Sequence, residues 1–433
     1  MEISDIKPGT YLEIKTDDAT YTGVLMPHPS LAEKDHLILK LDNGYNIGIE
    51  ESKIQKIKKL QKKETLEKFP IQKVPKNSNL PSIVLFGCGG TIASRVDYET
   101  GGVKSAMSPE EILFTVPELK DIANIKDAKL LFSDFSQDLT PRHWKKMAKE
   151  VAFILNQDVE GTVLMHGTDT MHFSSAALSF MLKNLSKPVV LTGAQRSSDR
   201  GSSDAAQNLI CSSYLAANSD LGEVVICMHA SSSDDFCVAH RGTKVRKMHT
   251  SRRDAFKSIN EKPLLKVSPK GKFEKISDYR TRGNDEVIAN TDFEEKIALV
   301  KSYPGSPTEI IDFLVDKKYK GIVVEATGLG HVPMGELSWF DSIKRAIEDG
   351  IAVVLAPQTL YGRLNLYVYE PQRKLKEIGV IDVEDMLPEV AYVKLGCVLA
   401  KKENPEEVVQ EMRTNWAGEI TQCSKHDFKP EFD

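Results

Sequence analysis

The chain has 433 residues, 41% hydrophobic and 27% charged, with Lys+Arg 57 against Asp+Glu 62 and a net charge of -5. These values suit a globular protein of two or three domains and exclude a predominantly disordered, collagen-like or small disulfide-stapled chain. A mean hydropathy of -0.30, with no apolar run near the ~20 residues that span a bilayer, argues against a membrane protein; the mild acidity excludes coating nucleic acid by bulk charge. The opening MEISDIKPGT has no basic stretch leading into an apolar one, so a secretory leader is not expected. Six cysteines (Cys88, Cys211, Cys227, Cys237, Cys397, Cys423) are scattered without a CxxC pair. That pattern fits reduced thiols in a cytoplasm and offers zinc no Cys-based site.

Residues 1–60 read as short strands: YLEIKT, TYTGVLM, HLILKL and YNIGIE, with a turn at Asp42-Asn43-Gly44. So many short strands without a helix predict a small β-barrel of the SH3 or Sm type. Residues 53–76 follow with nine Lys and two Glu, plus Pro70 and Pro75. This stretch reads as a solvated helix end and linker; its sharper reading is a contact with RNA backbone or a partner, since clustered Lys neutralises phosphate.

From Pro81 the pattern changes to alternating strands and helices. SIVLFG, GTVLMHG, PVVLTG and EVVICM are continuous apolar runs of strand length, as in a parallel sheet covered on both faces. Thr140-Pro141 supplies an N-cap and first-turn proline for the helix RHWKKMAKEVAFIL, and Asp204 opens AAQNLICSSYLAAN in the same way. The polar run 268–286, broken by Gly and Pro, reads as a linker. A second α/β unit follows: IALVKSY, helix PTEIIDFLVDKK, GIVVEAT, helix ELSWFDSIKRAIED and IAVVLAP. Two amphipathic helices, around 385–400 and 405–413, complete it.

Open α/β sheets place their sites beyond the carboxyl ends of the strands. After the first strand stands Gly87-Cys88-Gly89-Gly90-Thr91, which matches neither dinucleotide- nor phosphate-binding glycine patterns. A glycine run followed by a hydroxyl turns the backbone sharply and presents Thr91 to a ligand or to a helix cap. A later strand ends in His166-Gly167-Thr168-Asp169-Thr170-Met171-His172, which sets a hydroxyl beside a carboxylate. A metal reading of His166, Asp169 and His172 is disfavoured because the run spans a turn rather than one helix face. Ser136-Gln137-Asp138 offers hydrogen bonds to a small polar ligand. The basic cluster Arg241, Lys244, Arg246, Lys247, Arg252 and Arg253 reads mainly as solvated surface charge. One Lys beside a buried Asp would instead hold a hydroxyl or water in a reactive state, and spacing does not say which Lys.

Together, GCGGTIAS, FSQDLT, HGTDTM and KMHTSRRDAFKS resemble the L-asparaginase family in order and spacing over about residues 81–420. The resemblance implies an asparaginase-like parallel-sheet α/β domain plus a smaller α/β C-terminal domain, preceded by the small N-terminal β-barrel. The expected boundaries are 1–60 for the barrel, 61–80 for a Lys-rich linker, 81–275 for the first α/β domain, 276–295 for a second linker, 296–420 for the C-terminal domain and 421–433 for a tail. It further implies Thr91, Thr168, Asp169 and Lys247 as catalytic residues, with Ser136, Gln137 and Asp169 holding the substrate head group and no metal. The family's loop phenol matches Tyr98 only loosely, since alignment on Ala106-Met107-Ser108 puts Val103 at that position.

The segment before the first strand, the His172-Phe173 pair where many free asparaginases have Glu-Glu, HTSRRDAFKSIN and YGRLNLYVYEPQ are similar to the D-subunit family of archaeal glutamyl-tRNA(Gln) amidotransferases. That resemblance implies a cytoplasmic glutaminase subunit that splits Gln (or Asn) and delivers ammonia to an E subunit. ATP and Mg are then expected on the E subunit and no cofactor in this chain. tRNA(Gln) is expected to contact the chain indirectly through the E subunit, and the chain to form a homodimer within a heterotetramer away from membranes. The competing readings are a free cytoplasmic L-asparaginase and a non-catalytic RNA-binding or scaffolding protein on an inactive asparaginase fold.

Overall fold

The computed structural model describes residues 6–26, 36–41, 46–60, 77, 79–90, 92, 94–96, 103–105, 112, 116–196 and 202–424. Thr91, Tyr98, the turn Asp42-Asn43-Gly44, most of the Lys-rich stretch and the end of the tail lie outside the described residues.

Five strands form the N-terminal unit: β1 (Tyr11–Thr16), β2 (Thr20–Leu25), β3 (His36–Leu41), β4 (Asn46–Glu50) and β5 (Ile54–Lys59). They pair antiparallel in the order β4-β3-β2-β1-β5 and bury Leu12, Ile14, Leu25, Leu37, Leu39 and Ile49 as a separate core. Residues 54–59 are thus a strand rather than the expected helix end. Ile57 stands opposite Ile14 and, with Ile54, packs on the core, while Lys56, Lys58 and Lys59 stay in water. The isoleucines are three apart, a helix-like spacing, and a β-bulge that leaves Gln55 unpaired between Ile54 and Lys56 brings both onto the core face.

The central sheet contains β6 (Ser82–Cys88), β9 (Asn124–Phe132), β10 (Gly161–His166), β12 (Val189–Thr192), β13 (Val224–His229), β14 (Cys237–Arg241), β17 (Leu265–Val267) and β18 (Phe273–Lys275). Its order is β18-β17-β14-β13-β12-β10-β6-β9. From β9 to β13 neighbours are parallel; β14, β17 and β18 add antiparallel pairs, so the sheet is mixed rather than wholly parallel. Successive residues of β6 face opposite sides. Val84 and Phe86 join the core beneath α1 (Pro141–Leu155) and α2 (Met171–Met181), and Ile83 and Leu85 join that beneath α3 (Ala205–Asn218). Both faces are therefore covered, which is why these strands read as unbroken apolar runs. The polar run 268–286 is not free chain, because it contributes β18 to the sheet edge.

The C-terminal unit stacks β20 (Ile297–Lys301), β21 (Gly321–Ala326), β22 (Ala352–Pro357) and β23 (Ile381–Asp382) in parallel, with helices α4 (Glu309–Asp316), α5 (Phe340–Glu348), α6 (Glu370–Glu377), α7 (Pro388–Leu399) and α8 (Pro405–Arg413). Helix α7 is buried along nearly its whole length rather than amphipathic, because it is shared between the units. Val390, Val393 and Leu395 share one apolar core with Ala177, Leu178 and Met181 of α2. Among the described residues, small two-stranded pairs decorate the frame: β7 (Ser94–Val96) with β8 (Val103–Ser105), β11 (Leu182–Lys183) with the distant β19 (Ile288–Ala289), and β15 (Val245–Lys247) with β16 (Phe256–Ser258). Among the described residues no helix is long and apolar enough to cross a membrane.

Candidate active site

The loops that leave the carboxyl ends of β6, β9, β10 and β12 converge. Gly89 and Gly90 follow β6 with φ of 78° and 83°, a left-handed conformation that glycine adopts without strain. A β-carbon on Gly90 would approach the Gly167 amide nitrogen to 2.7 Å, and one on Gly167 would reach Ser136 Cβ at 2.8 Å. On the far side, a β-carbon on Gly193 after β12 would meet Thr168 Cγ2 at 2.8 Å. Glycine at these positions lets four turns close on Thr168. The Thr170 hydroxyl donates to the Ser136 carbonyl at 2.6 Å and joins the Ser136–Asp138 turn to the Thr168 turn.

Lys247 enters from β15. Its Nζ donates to Thr168 Oγ1 at 2.9 Å and to Asp169 Oδ1 at 2.6 Å. The Lys247 side chain is 9% exposed, whereas that of Asp169 is 66% exposed. An amine shielded from water thus touches a hydroxyl and an open carboxylate together. That set can move a proton from the hydroxyl and bind a cationic group beside it. Ser136 is buried, and Gln137 is exposed one residue further along the same turn. Of the expected site residues, Thr168, Asp169, Ser136 and Gln137 are therefore on adjoining turns and Lys247 reaches them from β15, while Thr91 and Tyr98 lie outside the described residues; Gly90, which precedes Thr91, is on Gly167.

Beneath the site, His166 Nδ1 lies 2.6 Å from the Gly167 carbonyl, which can only accept, so the proton sits on Nδ1. Nε2 has no partner among the described residues, and burial holds the ring down to about 4, hence neutral. His172 is likewise held down, to about 3, by burial and then by Arg246 and Lys247.

The basic cluster is not the solvated surface expected. Lys244 is fully buried and pairs with Asp385 at 2.7 Å; Arg241 pairs with Glu223 at 2.9 Å and Glu261 at 2.6 Å; Arg253 pairs with Asp234 at 2.6 Å. These charges knit distant segments together. Asp204, expected to cap α3, instead accepts the backbone amides of Gln195 and Arg196 at 3.0 and 2.9 Å and fixes the loop after β12. Sequence reasoning also missed Asn208, whose amide holds the Gly193 carbonyl at 2.9 Å. Its position in an apolar helix was the available signal, because a buried amide needs partners.

The frame and this cluster define an enzyme of the asparaginase type. Family models describe residues 82–278 as the N-terminal domain of asparaginase, 296–412 as the C-terminal domain of glutaminase/asparaginase, and 6–60 as the GatD N-terminal domain. Among solved structures, the thermostable L-asparaginase from Thermococcus kodakarensis aligns with a TM-score of 0.72 at 29% identity, covering 79% of this chain and 100% of that one. L-asparaginase I from Vibrio cholerae aligns at 0.69 and 29% identity, covering 79% and 99%. The D subunit of glutamyl-tRNA(Gln) amidotransferase from Pyrococcus abyssi is 54% identical over 95% of this chain and 93% of its own length, and that from Methanopyrus kandleri is 49% identical over 94% and 90%. The chain belongs to the D-subunit family of the glutamyl-tRNA(Gln) amidotransferases.

Proposed function

We propose that this chain is the glutaminase subunit of a tRNA-dependent amidotransferase and that Lys247, Thr168, Asp169 and Thr91 carry out the hydrolysis. The observation behind the assignment is the shielded Lys247 amine, 2.9 Å from the Thr168 hydroxyl and 2.6 Å from Asp169. Lys247 takes the proton of the Thr168 hydroxyl or of a water, and Asp169 orients it. The activated oxygen, from Thr91 or from that pair, attacks the side-chain amide carbonyl of glutamine or asparagine. The C–N bond breaks, ammonia leaves with a proton, and water releases glutamate or aspartate. Asp169, open to solvent, meets the substrate α-ammonium, and Ser136 and Gln137 supply further hydrogen bonds to the head group. Tyr98 is the candidate for a phenol at the loop.

The ammonia converts Glu-tRNA(Gln) to Gln-tRNA(Gln) on an E subunit in the cytoplasm, where ATP and Mg activate the glutamyl ester; tRNA(Gln) reaches the chain through that subunit, and the chain pairs with a second copy in a heterotetramer. The name of the homologous protein and the match at residues 6–60 support this reading over a free asparaginase. The segment from Tyr98 to Ser108, which follows Thr91, is the one through which the partner completes the site. Glutamine hydrolysis by the purified chain, alone and with the E subunit and glutamylated tRNA, tests the proposal. Stimulation by the partner is expected. Equal rates alone and in the complex would point to a free asparaginase, and no hydrolysis of either amide in any mixture would favour a scaffolding role.

A further inference from the structure

Beside the Lys247–Thr168 contact lies a second polar cluster that the hydrolytic chemistry does not use. Arg246, one residue before Lys247 on β15, brings Nε to 3.4 Å from Glu389 Oε1 on the first turn of α7. His172, on the first turn of α2, places Nε2 3.8 Å from the same oxygen. The Glu389 and His172 side chains are 3% and 10% exposed. The cluster thus joins three elements: the strand that carries Lys247, the helix that follows Thr168 and Asp169, and a helix of the C-terminal unit.

Neither distance is that of a close hydrogen bond, and among the described residues Glu389 Oε1 and His172 Nδ1 have no such partner in their buried setting. Burying a carboxylate this poorly satisfied is costly. Burial pushes the Glu389 carboxyl up and Arg246 pulls it back, while burial holds His172 neutral, so Arg246 is the charged group that Glu389 faces. A strand of three residues paired only with β16 has little hold of its own. Because successive strand residues point to opposite faces, Lys247 turns to the site and Arg246 turns away from it, to α7.

We infer that Glu389 is a positioning residue for hydrolysis: from the C-terminal unit it anchors Arg246, and through that anchor it sets where Lys247 Nζ stands against Thr168. The inference rests on the catalytic role proposed for Lys247. A tenth of the normal rate is a realistic cost, since small misplacements of a reacting group cost up to about 10²-fold.

The test uses the full chain reconstituted with its E subunit and glutamylated tRNA, with glutamine turnover as readout. Glu389→Gln keeps the side-chain size and replaces the carboxyl group by an amide. It should lower kcat at least ~10-fold with KM within about 2-fold. Arg246→Met should match it, Arg246→Lys should lose less, and the Glu389→Gln/Arg246→Met pair should be no worse than either single change because both act through one anchor. Wild-type kcat in folded Glu389→Gln, or in Arg246→Met should Glu389→Gln fail to fold, would overturn the inference, as would losses that simply add. Lys247→Met, measured in parallel, separates the two failures. A wild-type rate in Lys247→Met would reject the site itself, whereas a loss there beside an intact Glu389→Gln would reject only the anchor.

Discussion

Gly90 rests against Gly167 so closely that a β-carbon on Gly90 would fall 2.7 Å from the Gly167 amide nitrogen and 2.9 Å from its α-carbon. Two turns, one leading to Thr91 and the other to Thr168, thus touch backbone to backbone. Neither neighbour is a flexible side chain that could swing aside, and the φ of 83° at Gly90 adds a conformational cost for any other residue.

Gly90→Ala should therefore be damaging although it adds one methyl group. The left-handed backbone alone costs about 1–2 kcal/mol, and separating the turns adds to it. We expect a stability loss of ~2 kcal/mol or more in urea unfolding and glutamine hydrolysis reduced at least ~10-fold in the complex. Unchanged unfolding and kinetics would show that the two turns are free to part.

Lys244 and Asp385 make a different kind of prediction. The pair is buried at 2.7 Å, and Asp385 also accepts the Thr421 amide at 2.9 Å and the Thr421 hydroxyl at 2.6 Å. Lys244→Met leaves that carboxylate with only the more distant Arg363, 3.6 Å away, and removing one partner of a buried pair typically costs ~3–5 kcal/mol. Lys244→Met/Asp385→Leu should recover much of this loss, although the Thr421 contacts remain unpaired. Denaturant midpoints of the two variants decide it; equal losses would mean that the charge pairing is not what matters.

That pair also shows where sequence reading stops. Nothing local separates Lys244 from Lys247, since both sit in one basic run; their partners are 141 and 78 positions away. The cue for Lys247 is the resemblance to the asparaginases. Elements with a local signature are legible. Thr140-Pro141 opens α1, whose Thr140 amide donates to His143 at 3.0 Å, and the apolar runs of β6, β10, β12 and β13 are strands. Strand β9 escaped because NIKDAKLLF lies at the sheet edge, with Lys126 and Leu130 exposed and only Leu131 buried. An edge strand carries no continuous apolar signal. The Thr168-Asp169 adjacency was readable for the same reason that β10 was, whereas the Glu389 anchor depends on tertiary contact alone.

Acid should unfold the protein by way of its buried histidines. His166 is held down to about 4, and His172 and His240 to about 3, each chiefly by burial. The folded state keeps them neutral, while the unfolded chain protonates near 6.5, so this stability is fully present above pH 6.5 and is lost as pH falls toward the folded values. Each contributes a slope approaching ~1.4 kcal/mol per pH unit below 6.5. Urea unfolding at pH 7.5, 6 and 5 should show a progressive fall before most carboxylates titrate. His240→Gln should flatten it by one proton, and a stability constant from pH 7.5 to 5 would contradict the neutral assignments.

Thr168 offers the sharpest separation of structure from chemistry. Its hydroxyl meets Lys247 at 2.9 Å while its methyl packs toward Gly193, so each half of the side chain has its own neighbour. Thr168→Val keeps the shape and removes the oxygen; Thr168→Ser keeps the oxygen and removes the methyl. If the hydroxyl relays or supplies the reacting proton, valine should lower kcat for glutamine by ~10²-fold or more, within the range of an acid–base contribution, while serine keeps most of the rate. Serine should instead show the small stability loss of a deleted methyl group, about 1 kcal/mol. Steady-state kinetics in the complex, with unfolding curves for both variants, distinguish the outcomes. Equal kinetic losses for valine and serine would assign Thr168 to packing and leave Lys247 to act on water or on Thr91 directly.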